Sequence, residues 1–101
     1  MFVKFDVDAV RSGLVADMGA ERLQTLLVLA TYMDADGRCY PNQRTIAERL
    51  GVSRETANRR IAKLIRYRWR DQPVVTAEKV RNGAWENTVY TVKEASGLTI
   101  F

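Results

Sequence analysis

The chain has no histidine, one cysteine and two prolines among its 101 residues. With Cys39 as the lone cysteine, neither an internal disulfide nor a zinc site of the usual Cys and His kind is possible. The same absence removes the commonest general base, and no nucleophile motif or metal cluster takes its place. The expected function is therefore not enzymatic, and no cofactor or small-molecule ligand is expected. Cys39 reads as a half-buried small residue rather than a redox sensor. No apolar run approaches the ~20 residues that span a bilayer, and Met1-Phe2-Val3-Lys4 runs straight into Asp6 and Asp8, which spoils a signal-peptide pattern. A soluble, intracellular chain without a membrane partner is the expectation. Its 47% hydrophobic content and length suit one small domain over residues 1–101.

What the chain does have is a concentration of positive charge. Residues 38–70 hold ten of the sixteen Lys and Arg against only Glu48 and Glu55, a surplus of eight, whereas the whole chain carries a net charge of +4. The flanks are mildly acidic. Cations gathered on one helical segment suit phosphate neutralisation far better than the same charge spread over a surface.

Patterning then divides the chain. Phe2 to Val7 alternates imperfectly, as an N-terminal strand with one buried face does. From Ala20, the residues Leu23, Leu26, Leu27, Ala30 and Met33 recur at helical spacing and predict a core helix, with Asp17 or Gly19 as its cap. Asp34-Ala35-Asp36-Gly37 follows as a loop. It is not a calcium loop, because Gly37 stands fourth from Asp34 where that motif needs a glycine at its sixth position. After Pro41, Asn42 can cap a short helix containing Ile46, Ala47 and Leu50. Gly51 ends that helix, Val52 plugs the core, and Ser53 caps the next one, although neither cap has the Glu or Gln of a capping box.

In the helix from Arg54, Ala57, Ile61, Leu64 and Ile65 form an inward stripe, and Glu55, Arg59, Lys63 and Arg66 lie opposite. Beyond Trp69 come two β-rich runs, Val74-Val75-Thr76 and Val89-Tyr90-Thr91-Val92, joined through Arg81-Asn82-Gly83-Ala84-Trp85, where Asn82-Gly83 is the strongest hairpin signal in the chain. Lys93 to Phe101 fits a tail strand, a short helix or a dimer contact. Strand, three helices and hairpin predict an α+β winged helix, with a helix-turn-helix at about residues 42–69 and a wing at about 73–93.

Three stretches carry a family resemblance: Tyr40-Pro41-Asn42-Gln43, Thr45 to Thr56 with Gly51-Val52-Ser53 at its centre, and Arg59-Arg60-Ile61-Ala62-Lys63-Leu64. Over roughly residues 20–92 the chain resembles the winged helix-turn-helix domains of bacterial, plasmid and phage DNA-binding proteins. Those at the N-termini of plasmid and phage replication initiators share the loop before an aromatic-Pro pair, as in Asp36 to Pro41, and a return strand like Asn87-Thr88-Val89-Tyr90. One departure stands out, because Tyr67-Arg68-Trp69-Arg70 occupies the place where a glycine usually follows the recognition helix. The resemblance implies double-stranded DNA as the partner and a bacterial, cytoplasmic setting on nucleoid or plasmid. The process served would be replication initiation, plasmid maintenance or transfer, or transcription regulation.

Residue chemistry assigns roles within that frame. Asn58 and Arg59 suit adenine and guanine edges in the major groove. Arg54, Lys63 and Arg66 add charge along the helix, and Ser53 and Thr56 suit phosphates near its N-terminus. Glu55 fits either a cytosine contact or a solvated first-turn carboxylate. Gln43 and Arg44 would approach the backbone from the first helix of the pair, and Lys79, Arg81 and Asn82 would form the wing tip. Trp69, Trp85, Tyr67 and Tyr90 read as core or dimer-interface residues. A 101-residue reader most simply works as a homodimer on two half-sites or as an array on repeated sites. The competing reading is a protein-interaction winged helix, in which Trp69, Trp85 and Leu98-Thr99-Ile100-Phe101 dock a partner.

Overall fold

The computed structural model describes residues 2–100, and of Trp85 the backbone only. The elements run β1 (Val3–Phe5), α1 (Val7–Arg11), α2 (Leu14–Met18), α3 (Ala20–Ala30), β2 (Arg38–Cys39), α4 (Gln43–Leu50), α5 (Arg54–Arg66), β3 (Arg68–Trp69) and β4 (Gln72–Pro73). They close with β5 (Val75–Asn82), β6 (Trp85–Val92), a 3-10 turn (Glu94–Ser96) and β7 (Leu98–Ile100).

The three longest helices form where the apolar spacing predicts them, with one change of face. In α3, Leu26 and Ala30 are buried and Leu23 is partly so, but Leu27 is 45% exposed. Thr25 and Leu29 turn inward instead, and Thr25 satisfies its hydroxyl on Glu21 O at 2.8 Å. The buried stripe is centred between these residues, which leaves Leu27 roughly 130° away at 100° per residue. Gly19 rather than Asp17 occupies the N-cap position. Asp17 instead accepts from Tyr67 Oη at 2.6 Å, joining α2 to the end of α5, while the Arg22 guanidinium lies over the Tyr67 ring.

The caps of α4 and α5 act as their residue types dictate. Asn42 Oδ1 accepts from Thr45 N–H at 2.8 Å, and Ser53 Oγ accepts from Thr56 N–H at 3.2 Å. Between the helices Gly51 takes the left-handed conformation at φ 72°, and the Gly51 and Val52 amides return to Glu48 and Ala47 carbonyls. Ile46, Ala47 and Leu50 from α4 meet Ala57, Ile61 and Leu64 from α5, with Leu14, Met18, Leu26, Leu29, Val74 and Val75 completing one core.

Several features were not legible in the pattern. The segment after β1 folds into the short helices α1 and α2, the first capped by Asp6 accepting from Asp8 N–H. Arg38–Cys39, expected as loop, is a strand that pairs Arg38 with Thr91 and Cys39 with Tyr90, giving a three-stranded antiparallel sheet in the order β2-β6-β5. And where a glycine was expected after α5, β3 and β4 pair around Arg70-Asp71, both left-handed at φ 52° and 65°. Two consecutive residues of positive φ suit the twist of a tight hairpin. Here Arg68 Nη1 donating to Asp71 O at 2.9 Å and Arg70 lying over the Trp69 ring hold that conformation without glycine. The main hairpin also closes one residue later than Asn82-Gly83 suggests: Asn82 pairs with Trp85, so Gly83-Ala84 are the turn residues. The C-terminal segment resolves into the 3-10 turn and β7, which pairs with β1.

Asp34 Oδ1 accepts from the amides of Asp36 and Arg38, so the acidic loop organises its own turn. Gly37 at φ 81° accepts from Val92 N–H at 2.7 Å, and a Cβ there would lie 2.5 Å from Val92 O. Gly37→Ala is therefore expected to combine left-handed strain with a clash against fixed backbone, lowering stability by about 2 kcal/mol or more. A loss of unfolding free energy, measured in urea, of less than a quarter of that amount would refute the tight approach.

Two buried acids predict alkaline instability. Burial, reinforced by Asp34, pushes the Cys39 thiol up to about 11. Burial and the bond to Asp17 push the Tyr67 hydroxyl up to about 12. In the unfolded chain these groups ionise near about 8.5 and 10. Above those values the unfolded state releases protons that the folded state keeps, so stability is full below about pH 8.5 and declines as pH rises through the folded values. The urea midpoint should fall between pH 7 and pH 10.5, and Cys39→Ala should flatten the fall. A midpoint that rises with pH would contradict the burial of both groups.

Candidate DNA interface

Burial of one side of α5 determines what the other side can offer. Ala57, Ile61 and Leu64 hold the helix to the core, with Ile65 packed against them, and the sector left outside carries Arg54, Glu55, Asn58, Arg59, Lys63 and Arg66. Ala62 lies within the same sector but is half-buried, because the β5–β6 hairpin stands beside it. Between helix and hairpin runs an open groove of about 290 Å³. Its floor is Ile61, Ala62, Ile65, Ala77 and Tyr90, and Gln43, Asn58, Lys79 and Thr88 stand among its polar margins. The fold thus brings Gln43, Asn58 and Lys79 together from three elements. Thr88 joins them without any signal in the sequence beyond strand alternation.

The cations separate into two groups. Arg44 lies 3.3 Å from Glu48, Arg60 lies 3.4 Å from Glu21 and donates to Gln24, and Lys79 and Arg81 converge on Glu86 at 3.4 and 3.1 Å. Arg49 donates to Tyr32 Oη at 3.0 Å. By contrast Arg54, Arg59, Lys63 and Arg66 have no acidic partner among the described residues, and all four are exposed. An exposed cation without a local anion keeps its full charge for an incoming one.

The remaining candidate residues divide similarly. Ser53 both caps α5 and donates to Thr56 Oγ1 at 3.1 Å, so its hydroxyl is committed to the helix start, and Thr56 is half-buried. Asn82 is the last paired residue of β5 rather than part of the turn. Tyr90 is buried, its hydroxyl titration raised by burial, and Tyr67 is also buried. Trp69 packs against the core, as does Ile100, and Leu98 is buried. Of the tail residues expected to dock a partner, Leu98 and Ile100 thus pack inward and Thr99 is exposed, while the Trp85 side chain and Phe101 lie outside the described residues.

Comparison with protein families matches residues 21–69, from α3 through β3, to the helix-turn-helix domain. These residues are a helix-turn-helix domain. With the β5–β6 hairpin beside α5, the architecture is the α+β winged helix that the element order predicted, α4 and α5 being the helix pair and the hairpin the wing. A helix-turn-helix domain points to DNA binding. No curated protein and no solved structure matches the chain. The wing lies beyond the matched span, so its assignment rests on its geometry. No helix among the described residues is long and apolar enough to cross a membrane.

Proposed function

We propose that this protein binds a specific site on double-stranded DNA, with α5 of the helix-turn-helix lying in the major groove. The observation that carries the reading is the row of exposed cations on α5, Arg54, Arg59, Lys63 and Arg66, which lack acidic partners among the described residues, whereas Arg44, Arg60, Lys79 and Arg81 around them are ion-paired. Asn58 and Arg59 read base edges, and Arg54, Lys63 and Arg66 neutralise phosphates. Gln43, at the first turn of α4, and Lys79, across the groove, bracket Asn58 and contact the backbone on either side of the base-reading residues. Arg44, Lys79, Arg81 and the Ser53-Thr56 pair must exchange or share their present partners to do so, and the four exposed cations of α5 need not. The wing tip at Gly83-Ala84, flanked by Arg81 and Asn82, follows the neighbouring minor groove or its phosphates.

The action is binding rather than catalysis, in a bacterium, plasmid or phage. The process is replication initiation, plasmid maintenance or transfer, or transcription regulation, and the protein acts as a homodimer or as an array on repeated sites. The test is selection of bound sequences from a random duplex pool, with retention measured across a salt series. Enrichment of an inverted or direct repeat, together with a steep loss of affinity as salt rises, is the expected result. A chain that retains no duplex even at low salt would refute the proposal.

A further inference from the structure

The two-stranded sheet of β1 and β7 has an outer edge whose backbone polarity follows from one bond. Asp6 N–H donates to Gly97 O at 2.8 Å, and Asp6 and Gly97 continue the register that pairs Phe5 with Leu98 and Val3 with Ile100. In an antiparallel pair the hydrogen-bonded residues alternate, so Val3 and Phe5 point their N–H and C=O groups away from β7. The Leu98 amide donates to Ser96 Oγ rather than to β1, as that alternation requires. Apart from β7, no element among the described residues packs extensively on β1. Beside this edge stand exposed apolar side chains: Phe5 at 38%, and on α1 Val7 and Val10, one helical turn apart at 58% and 56%.

We propose that a second copy of this chain adds its β1 antiparallel to this edge, with Phe5 of each copy facing Phe5 of the other. Charge selects both the occupant and the register. Facing Phe5 on Phe5 sets Lys4 opposite the second copy's Asp6, and symmetry repeats the pair. Facing Val3 on Phe5 instead sets Lys4 against Lys4, and centring on Val3 brings no opposite charges together. Asp6 caps α1 through Oδ1, and its second oxygen, Oδ2, is the one that takes the cross-strand pair. Joining the two strands pairs the outward N–H and C=O of Phe5 in both copies, and the Phe5 side chains then lie side by side with Val7 and Val10 flanking them. This deepens the DNA-binding reading by supplying the two-fold axis that would relate two half-sites. It is tested without DNA, so a failure here leaves α5 as the DNA-binding helix.

Sedimentation of the full chain should give a dimer. Lys4→Glu and Asp6→Lys should each weaken self-association roughly tenfold, by setting like charges opposite at two positions. Mixing the two variants should restore association. The glutamate introduced at position 4 of one copy then meets the lysine introduced at position 6 of the other, while the unchanged Asp6 and Lys4 still pair. Circular dichroism checks that the loss of the Asp6 cap leaves the fold intact. Independently, Phe5→Cys should cross-link two copies on oxidation and Lys4→Cys should not. A wild-type monomer at every concentration reached, a dimer indifferent to both charge reversals, or cross-linking through position 4 in preference to position 5 would each overturn the proposal.

Discussion

Arg59→Ala is expected to cost about 1–3 kcal/mol of specific DNA binding, a loss of roughly 5- to 150-fold, and to relax the sequence preference at one position. The expectation rests on position and chemistry together. Arg59 is exposed on the outer side of α5, has no acidic partner among the described residues, and carries the planar donor fork that pairs with both acceptors of guanine. Because alanine is the better helix former, the variant should fold within about 0.5 kcal/mol of the parent. A companion variant separates base reading from charge. Replacing Arg54, Lys63 and Arg66 together with Gln should weaken every duplex alike and reduce the salt slope by about 2.7, from ~0.9 per phosphate contact. Titrations of specific and scrambled duplexes over a salt series read both effects. Undiminished specific binding by the Arg59 variant would remove α5 from the recognition role.

Leu64→Ala should produce the largest loss of stability, about 2–5 kcal/mol. Leu64 is fully buried on the inner side of α5, a helix that packs against α3, α4 and β5 together. A hole there therefore loosens the platform from which the cations project. Against a typical total of about 5–15 kcal/mol, that loss leaves a marginal fold. Leu64→Met keeps the volume and should cost less than about 1.5 kcal/mol. Urea unfolding measures both, and DNA binding by the alanine variant should recover under conditions that restore the fold. A cost below about 1 kcal/mol would mean that α5 is not anchored through this side.

Much of this architecture is legible in the sequence because it is local. The stripe Ala57, Ile61, Leu64 identifies the buried side of α5 by spacing alone. Asn42, Gly51 and Ser53 mark helix ends because each residue type satisfies a backbone requirement within three or four positions. The same holds for the hairpin, although its turn sits one residue later. The misread elements depend on distant partners. Arg38–Cys39 becomes a strand only because β6 offers it an edge, and α1 and α2 are too short for periodicity to register. Arg70-Asp71 adopts a conformation usually given to glycine because Arg68 and Trp69 are placed to hold it.

The candidate site divides along the same line. Sequence by itself determined that a basic helix follows a capped turn, and which of its residues face outward, because charge and periodicity are properties of a single helix. Only the tertiary structure decided which cations remain without a partner. Arg60 is drawn to Glu21 across α3, and Lys79 and Arg81 to Glu86 across the hairpin, whereas Arg54, Arg59, Lys63 and Arg66 project where no carboxylate among the described residues reaches them. It likewise brought Gln43, Asn58 and Lys79 to one groove. Coulomb attraction depends on distance through space, and distance through space is what folding sets.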